Sequence, residues 1–219
     1  MNEKKIIEEI KKYLKENFKA DATGHDWWHF WRVWKMAKEI AKKEGGNLFV
    51  IELAALLHDV ADYKFNDGDD KAGGKTARVL LEKLNVDKKS IEQVCQIIDN
   101  VSFKGAGVKN GIKTKEGMIV QDADRLDVMG AMGIARTLAY GGFTKREIYN
   151  PEIKPRFYKT FEAYKNNQSS SINHFYEKLL LLENRLNTKT AKKIGKERHL
   201  FMENYLKQFF KEWNVEILD

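Results

Sequence analysis

Apolar positions recur at three- and four-residue spacing along most of this chain, and that spacing predicts helices. Ile6, Ile7, Ile10, Tyr13, Leu14 and Phe18 trace one face of a first amphipathic helix, which ADATGHD interrupts. A second helix is predicted from about Asp26 to Lys43, with Asp26 or Thr23 as its cap and Gly45-Gly46 as its stop. From about Phe49 to Asp59 the chain is apolar on most sides, which marks a central helix. NDGDDKAGG reads as a loop. Helices follow at about 73–84 and 88–101, the latter capped by Asp87. A Gly/Lys loop at 104–115 leads into one long helix from Glu116 to about Tyr140. The small residues of its GAMGIA stretch would let a neighbouring helix approach closely, and Gly141-Gly142 would stop it. Residues 143–170 hold both prolines and form an irregular excursion. Ser171 caps a helix through about Leu186, and Thr188 or Thr190 caps another to about Trp213. No β-alternation of useful length, internal repeat or low-complexity tract interrupts this pattern, so the fold is expected to be all-α.

At 219 residues the chain fits a single domain spanning 1–219, with a core at about 24–140 and a C-terminal helical extension at about 143–219. Apolar residues make up 42%, enough for a real core, and the 32% of charged residues are mixed in sign, which argues against disorder. The net charge of +7 favours anionic partners. The lysines are scattered, however, and no nucleic-acid-binding fingerprint is present, so no specific nucleic acid is expected. The lone Cys95 excludes an internal disulfide framework and lies on an apolar helix face. No apolar run reaches the roughly 18 residues of a membrane span. The charged N-terminus has no signal-peptide apolar region. The protein is expected to be cytoplasmic, with no membrane partner. The aromatic-rich C-terminal helices are compatible with internal packing or with a homodimer.

The chemistry concentrates where the apolar run VIELAALLHDV, Val50 to Val60, closes on His58-Asp59. Burying such a pair without a partner is costly, and a divalent metal is one partner. His29, in DWWHFWRV, shares a helix face with Val33, Met36, Ala37 and Ile40 and so points inward. In QDADRLD, Asp122, Asp124 and Asp127 compete for a fourth ligand position. Each feature alone has an ordinary explanation: a hydrogen-bonded core histidine, a chance dipeptide, a solvated acidic face. Their joint occurrence is much rarer. Two imidazoles and two carboxylates suit manganese, iron, cobalt, nickel or zinc better than calcium, and no cysteine ligand is available for a structural zinc knot.

HxxRV, HD some thirty residues later and then DADRLD resemble the HD-domain superfamily of metal-dependent phosphohydrolases. HDWWH, ALLHDVADYK, SFK, EGMIVQDADRLDVMGAMGIARTLAYGG and HFYEKLLLL are similar to the bacterial YpgQ/YedJ-type branch, associated with nucleotide pyrophosphohydrolase activity. The resemblance runs from about Gly24 to Trp213. It implies an HD-domain helical bundle and a divalent cofactor, manganese favoured and magnesium, cobalt, nickel, iron or zinc compatible. It also makes His29, His58, Asp59 and Asp124 the ligands. Asp124 is preferred to Asp122 because the family's last ligand precedes a basic residue. The implied reaction converts a (deoxy)nucleoside triphosphate to monophosphate and pyrophosphate. A 5'-nucleotidase acting on monophosphates and a catalytically silent nucleotide-binding regulatory module are the alternatives.

Around that set, Asp62, one turn after His58, is a candidate for positioning or deprotonating the attacking water, or a surface cap. His25 is a candidate proton donor or phosphate contact, and Asp26 a weaker base candidate. Lys64 and Lys104 are the preferred phosphate contacts. Arg32 and Arg125 either contact substrate or pair with buried acids and orient the ligands. Lys109, Lys113 and Lys115 suggest a mobile rim. Trp27, Trp31 and Trp34 fall on one helix face and suggest packing against the first helix, while Trp28 is the best candidate for stacking on a base. GDDKAGGKT imitates a P-loop, but five residues rather than four separate Gly68 from Gly74 and no strand precedes it. His174 and His199 are expected to be structural or exposed.

Overall fold

A computed structural model describes residues 2–19, 24, 26–61, 71–102, 111–157 and 169–215. The elements are α1 (Glu3–Asn17), α2 (Trp27–Glu44), α3 (Leu48–Leu57), α4 (Ala72–Lys83), α5 (Lys88–Val101), α6 (Lys115–Asp127), α7 (Gly130–Phe143), α8 (Ser171–Glu177), two 3-10 turns (Leu179–Leu181 and Glu183–Arg185) and α9 (Lys189–Trp213). No strand occurs among the described residues, so the fold is all-α as expected. Nor is any described helix long and apolar enough to cross a membrane.

Helix starts follow local chemistry. Asp26 accepts from the His29 amide at 3.1 Å, Asp87 from Ser90 at 3.0 Å and Thr188 from Ala191 at 3.2 Å. Each such cap is worth about 1 kcal/mol. Asp26 is therefore the cap of α2.

Helix α3 is the hub. Val50, Ile51 and Leu53 through Leu57 are wholly buried, because α1, α2, α5 and α6 pack around it. With only its first turn and Glu52 reaching solvent, its sequence carries no marked amphipathic stripe. The three helices that bear the candidate ligands, α2, α3 and α6, pack on one another. Helix α9 lies across α6 and α7 and also reaches α2. At its far end Tyr149 meets Phe209, Phe210 and Trp213 at ring-centroid distances of 5.9, 5.3 and 5.0 Å, so much of the C-terminal aromatic surface packs internally.

Three expectations are corrected. The single helix from Glu116 to Tyr140 is two, α6 and α7, broken at Val128-Met129. Gly130 turns the chain at φ +67°, and a Cβ at Gly133 would lie 2.2 Å from the Val128 carbonyl oxygen. The glycines of GAMGIA thus make a tight corner, and Gly141-Gly142 fall within the last turn of α7 rather than ending it. The helix expected from Ser171 to Leu186 is short, capped by Ser170, and gives way to the 3-10 turns. Finally, Ala72, Gly73 and Gly74 begin α4. A Cβ on Gly74 would come within 2.3 Å of Asp99 Oδ1, so this glycine permits close packing of α4 on α5 and cradles no phosphate.

Candidate functional site

His29 comes from the first turn of α2, His58 and Asp59 from the turn that ends α3, and Asp124 from the last turn of α6. The backbone leaves helical bonding right after Leu57, which releases His58 and Asp59 at the mouth of the core. His29 Nε2 lies 3.1 Å from His58 Nε2, 3.5 Å from Asp59 Oδ2 and 3.8 Å from Asp124 Oδ1. His58 Nε2 lies 3.5 Å from Asp59 Oδ2 and 3.6 Å from Asp124 Oδ1. Both imidazoles are buried, while the Asp59 and Asp124 side chains are 16% and 23% exposed, so the site opens on the carboxylate side.

The tautomers follow from what surrounds the other ring nitrogens. His58 Nδ1 donates to the Ala55 carbonyl at 2.9 Å. His29 Nδ1 donates to Asp127 Oδ2 at 2.8 Å. An ionised carboxylate only accepts, so the proton of that bond belongs to the imidazole. Both Nε2 lone pairs then face one another and two carboxylate oxygens. Such a collection of acceptors needs a cation or a proton. Four ligand atoms about 2.1 Å from a shared ion stand about 3.0–3.4 Å apart, close to the spacings observed. His29, His58 and Asp59 group as a candidate metal site, and Asp124 Oδ1 adds a fourth donor within 3.8 Å of both imidazoles.

Electrostatics agree with this arrangement. Burial alone would lower the pKa of His58, but Asp59 and Asp124 outweigh it and push the value up to about 9. A proton on His58 thus compensates the carboxylates when no metal does. Burial also pushes Asp124 up, yet His58 beside it brings the carboxyl below its ordinary value.

Behind His29 stands a brace of which the sequence pattern anticipated one part, Arg32 paired with a buried acid. Besides the His29 proton, Asp127 accepts a two-pronged bond from Arg32, Nε to Oδ1 at 2.7 Å and Nη2 to Oδ2 at 3.1 Å, and another from Arg136 Nη1 at 2.8 Å. Burial raises the Asp127 pKa, but His29 and the two arginines hold it far below the carboxylate range. Asp127 is thereby fixed as the acceptor that orients His29. Arg136 lies on a different helix from Asp127, with no telltale spacing between them. The signals for the rest of the brace were Asp127, one acid among three, and Arg32, three residues after His29.

Asp122 is occupied elsewhere. It is fully buried and accepts from the Asn187 amide and Nδ2 at 2.8 and 2.9 Å and from the Thr188 amide and hydroxyl at 2.7 and 2.8 Å. The oxygen that faces the imidazoles belongs to Asp124.

The remaining expectations divide as follows. For Arg32 the contacts match the second of its two expected roles, pairing with a buried acid that orients a ligand, whereas Arg125 bonds a backbone carbonyl. Arg32 serves Asp127, and Arg125 is buried with Nη1 on the Arg185 carbonyl, its pKa lowered to about 10 by burial. Trp28 is 57% exposed, beside Trp31 at 6.1 Å between centroids. Trp27 and Trp34 are buried, with Lys15 and Lys11 of α1 over their rings, whereas Trp31 is at the edge of that face and part-exposed, which corrects the three-tryptophan face. Lys115 donates to the Glu44 carbonyl at 3.1 Å and is not part of a mobile rim. Lys113 is exposed. His199 lies 3.5 Å from Glu183 and 3.4 Å from Glu203, away from the cluster. Asp62, His25, Lys64, Lys104 and Lys109 lie outside the described residues.

Comparison with known proteins agrees with this geometry. The HD domain family matches residues 27–129, a stretch that contains all four donors. YpgQ of Bacillus subtilis is 34% identical over 97% of this chain and 96% of its own, and a crystal structure of YpgQ in complex with ADP superposes with a TM-score of 0.77. A Lactobacillus plantarum protein of known structure is 37% identical, covers 99% of this chain and 100% of its own, and has a TM-score of 0.87. An HD-superfamily hydrolase from Bacillus thuringiensis is 43% identical, covers 98% of this chain and 100% of its own, and has a TM-score of 0.74. Fold, donor set and relatives agree: the chain belongs to the HD-domain superfamily of hydrolases.

Proposed function

We propose that this protein is a metal-dependent phosphohydrolase of nucleotides that cleaves (deoxy)nucleoside triphosphates to monophosphate and pyrophosphate. The observation that carries the reading is the convergence of two braced imidazole Nε2 atoms with Asp59 Oδ2 and Asp124 Oδ1. The ADP complex of YpgQ supports a nucleotide as the ligand class.

His29, His58, Asp59 and Asp124 would hold the divalent ion, manganese by preference. When bound, such an ion supplies Lewis-acid polarisation of a phosphoryl oxygen and of water. Four protein ligands would leave room for water or a substrate oxygen, and the site meets solvent on the side of Asp59 and Asp124. The brace of Asp127, Arg32 and Arg136 keeps the His29 lone pair forward. Asp62 is assigned the proton of the attacking water, because a carboxylate in reach of that water is a competent base. Lys64 and Lys104 are assigned to the phosphates, His25 to the leaving group or a phosphate oxygen, and Trp28 to the base. Hydrolysis breaks the anhydride bond between the α and β phosphates. Water contributes its oxygen to one product, and its protons leave through the base.

Product analysis by phosphorus NMR tests this reading. Demetallated protein is given manganese and a panel of nucleoside mono- and triphosphates. Stoichiometric pyrophosphate from triphosphates is expected. Asp62→Ala is expected to keep the metal and lose rate. Orthophosphate from monophosphates would replace the reading with a nucleotidase. No product with metal bound would make the protein a nucleotide-binding regulatory module.

A further inference from the structure

A second cavity lies behind the Asp127 brace, between α2, α6, α7 and α9. Its volume is about 210 Å³, smaller than the roughly 300–1,000 Å³ of drug-sized ligand pockets, so it suits a ring-sized molecule rather than a nucleotide. None of His29, His58, Asp59 or Asp124 lines it. Asp127 stands between, because it meets His29 at Nδ1, the nitrogen turned away from the donor cluster.

The wall chemistry is of two kinds. Trp31, Met36 and Met132 supply an indole and two thioethers, which favour contact with a planar π-system. Trp31 and Met132 are part-exposed at 37% and 40%, so the ring surface is reachable from solvent. Arg32, Lys35 and Arg198 supply positive charge, against Asp127 and Glu39. Both acids already have cations. Asp127 is bound by Arg32 and Arg136, and Glu39 by Lys42 at 2.6 Å. Lys35 is 5.7 Å from the centroid of the Trp31 ring. Arg198 is half-buried, and its Nη1 donates to a neutral acceptor, the Leu126 carbonyl. Among the described residues, Lys35 and Arg198 beside this aromatic slot have no carboxylate bonded to them.

We propose that this cavity binds a small planar aromatic acid, its ring against Trp31, Met36 and Met132 and its carboxylate between Arg198 and Lys35. A carboxylate matches a guanidinium in plane and adds a charge-assisted bond where the site is half-desolvated. The proposal is independent of the reaction assigned above, since it concerns other residues and is measured as binding.

The test uses the full chain labelled at the tryptophan indole nitrogens, with the Trp31 signal assigned by its loss in Trp31→Phe. Indole-3-carboxylate is titrated in, and indole-3-carboxamide serves as its neutral analogue. A saturable shift of the Trp31 signal is expected, with the amide at least tenfold weaker. Met132→Trp, which fills the slot from a part-exposed position, is expected to abolish the shift while manganese binding stays unchanged. Arg198→Met is expected to weaken the acid at least tenfold and the amide little. Lys35→Glu repeats the charge test from the surface should Arg198→Met fail to fold. Absence of a saturable shift, equal affinity for acid and amide, or a shift that persists in a folded Met132→Trp protein would each overturn the proposal.

Discussion

Asp122 and Asp124 stand two residues apart on α6, and their surroundings have opposite logic. Asp122 is enclosed by four donors from Asn187 and Thr188, so its lone pairs are taken up by the protein, although burial still pushes its pKa above the ordinary value. Asp124 faces two imidazole nitrogens whose protons are fixed on the far sides of their rings. The first is a closed polar network, which stabilises a particular packing. The second gathers acceptors that need a metal ion or a proton to reconcile them. The number of donors around a buried carboxylate therefore distinguishes an anchor from a ligand where the sequence DAD does not.

The largest effect that could break this contrast is expected at Asp124. Asp124→Ala should leave a folded protein by circular dichroism, with metal stoichiometry lost and hydrolysis reduced more than about a thousandfold, since the ligand and the ion go together. Full metal content in that variant would mean that the ligand has been misassigned.

Asp122→Ala should do the reverse. Four donors lose their acceptor, at a cost on the order of 3 kcal/mol, which lowers the melting temperature by roughly 10 °C in a chain of this size. Metal stoichiometry, measured below the transition, should be unchanged.

The metal-free protein offers a comparable effect without mutation. Because the folded pKa of His58 is raised from 6.5 to about 9, the folded state holds that proton more tightly than the unfolded chain does. The associated stability, on the order of 3 kcal/mol, is complete below about pH 6.5 and is lost as pH rises through about 9. Denaturant titrations of demetallated protein across that range should record the decline. Calorimetry in buffers of different ionisation enthalpy should find about one proton released per manganese bound near neutral pH. A flat profile would remove the coupling of His58 to its two carboxylates.

Asp127→Asn should weaken manganese binding about 10- to 100-fold, because an amide no longer fixes the Nδ1 proton of His29. The smallest effect is expected at Trp28. Its exposed side chain should change stability by less than about 0.5 kcal/mol on substitution by alanine, while KM should rise if the indole stacks on the base. An unchanged KM would remove that assignment.

Much of this arrangement was legible in the sequence wherever the cause is local. Asp26, Asp87 and Thr188 cap helices because a short polar side chain before a periodic apolar run has one favourable use there. The apolar character of α3 on most sides marked it as central. His58-Asp59 was conspicuous because it closes that run. What escaped notice depends on packing. The corner at Gly130 and Gly133 looks in sequence like a stripe for helix approach, and only the clash a Cβ would make with Val128 reveals the turn. The pairing of Arg136 with Asp127 joins two helices across that corner. Arg32 sits one turn from His29 and could equally have faced a substrate, since a one-dimensional pattern does not say which acid lies opposite.

The bonds that leave α6 have a consequence for modularity. Asp122 is held by Asn187 and Thr188, Arg125 donates to the Arg185 carbonyl, and Arg198 donates to the Leu126 carbonyl. Three positions on the ligand-bearing helix, within five residues of one another, are thus secured by chain that lies more than fifty residues beyond the stretch matched by the HD family, 27–129. That stretch is a recognisable signature but not a severable part. A shuffled or truncated gene that kept it and dropped the chain from Arg185 onward would expose the anchoring face of the very helix that presents Asp124. The relatives align along nearly all of the chain, including the segments that anchor α6.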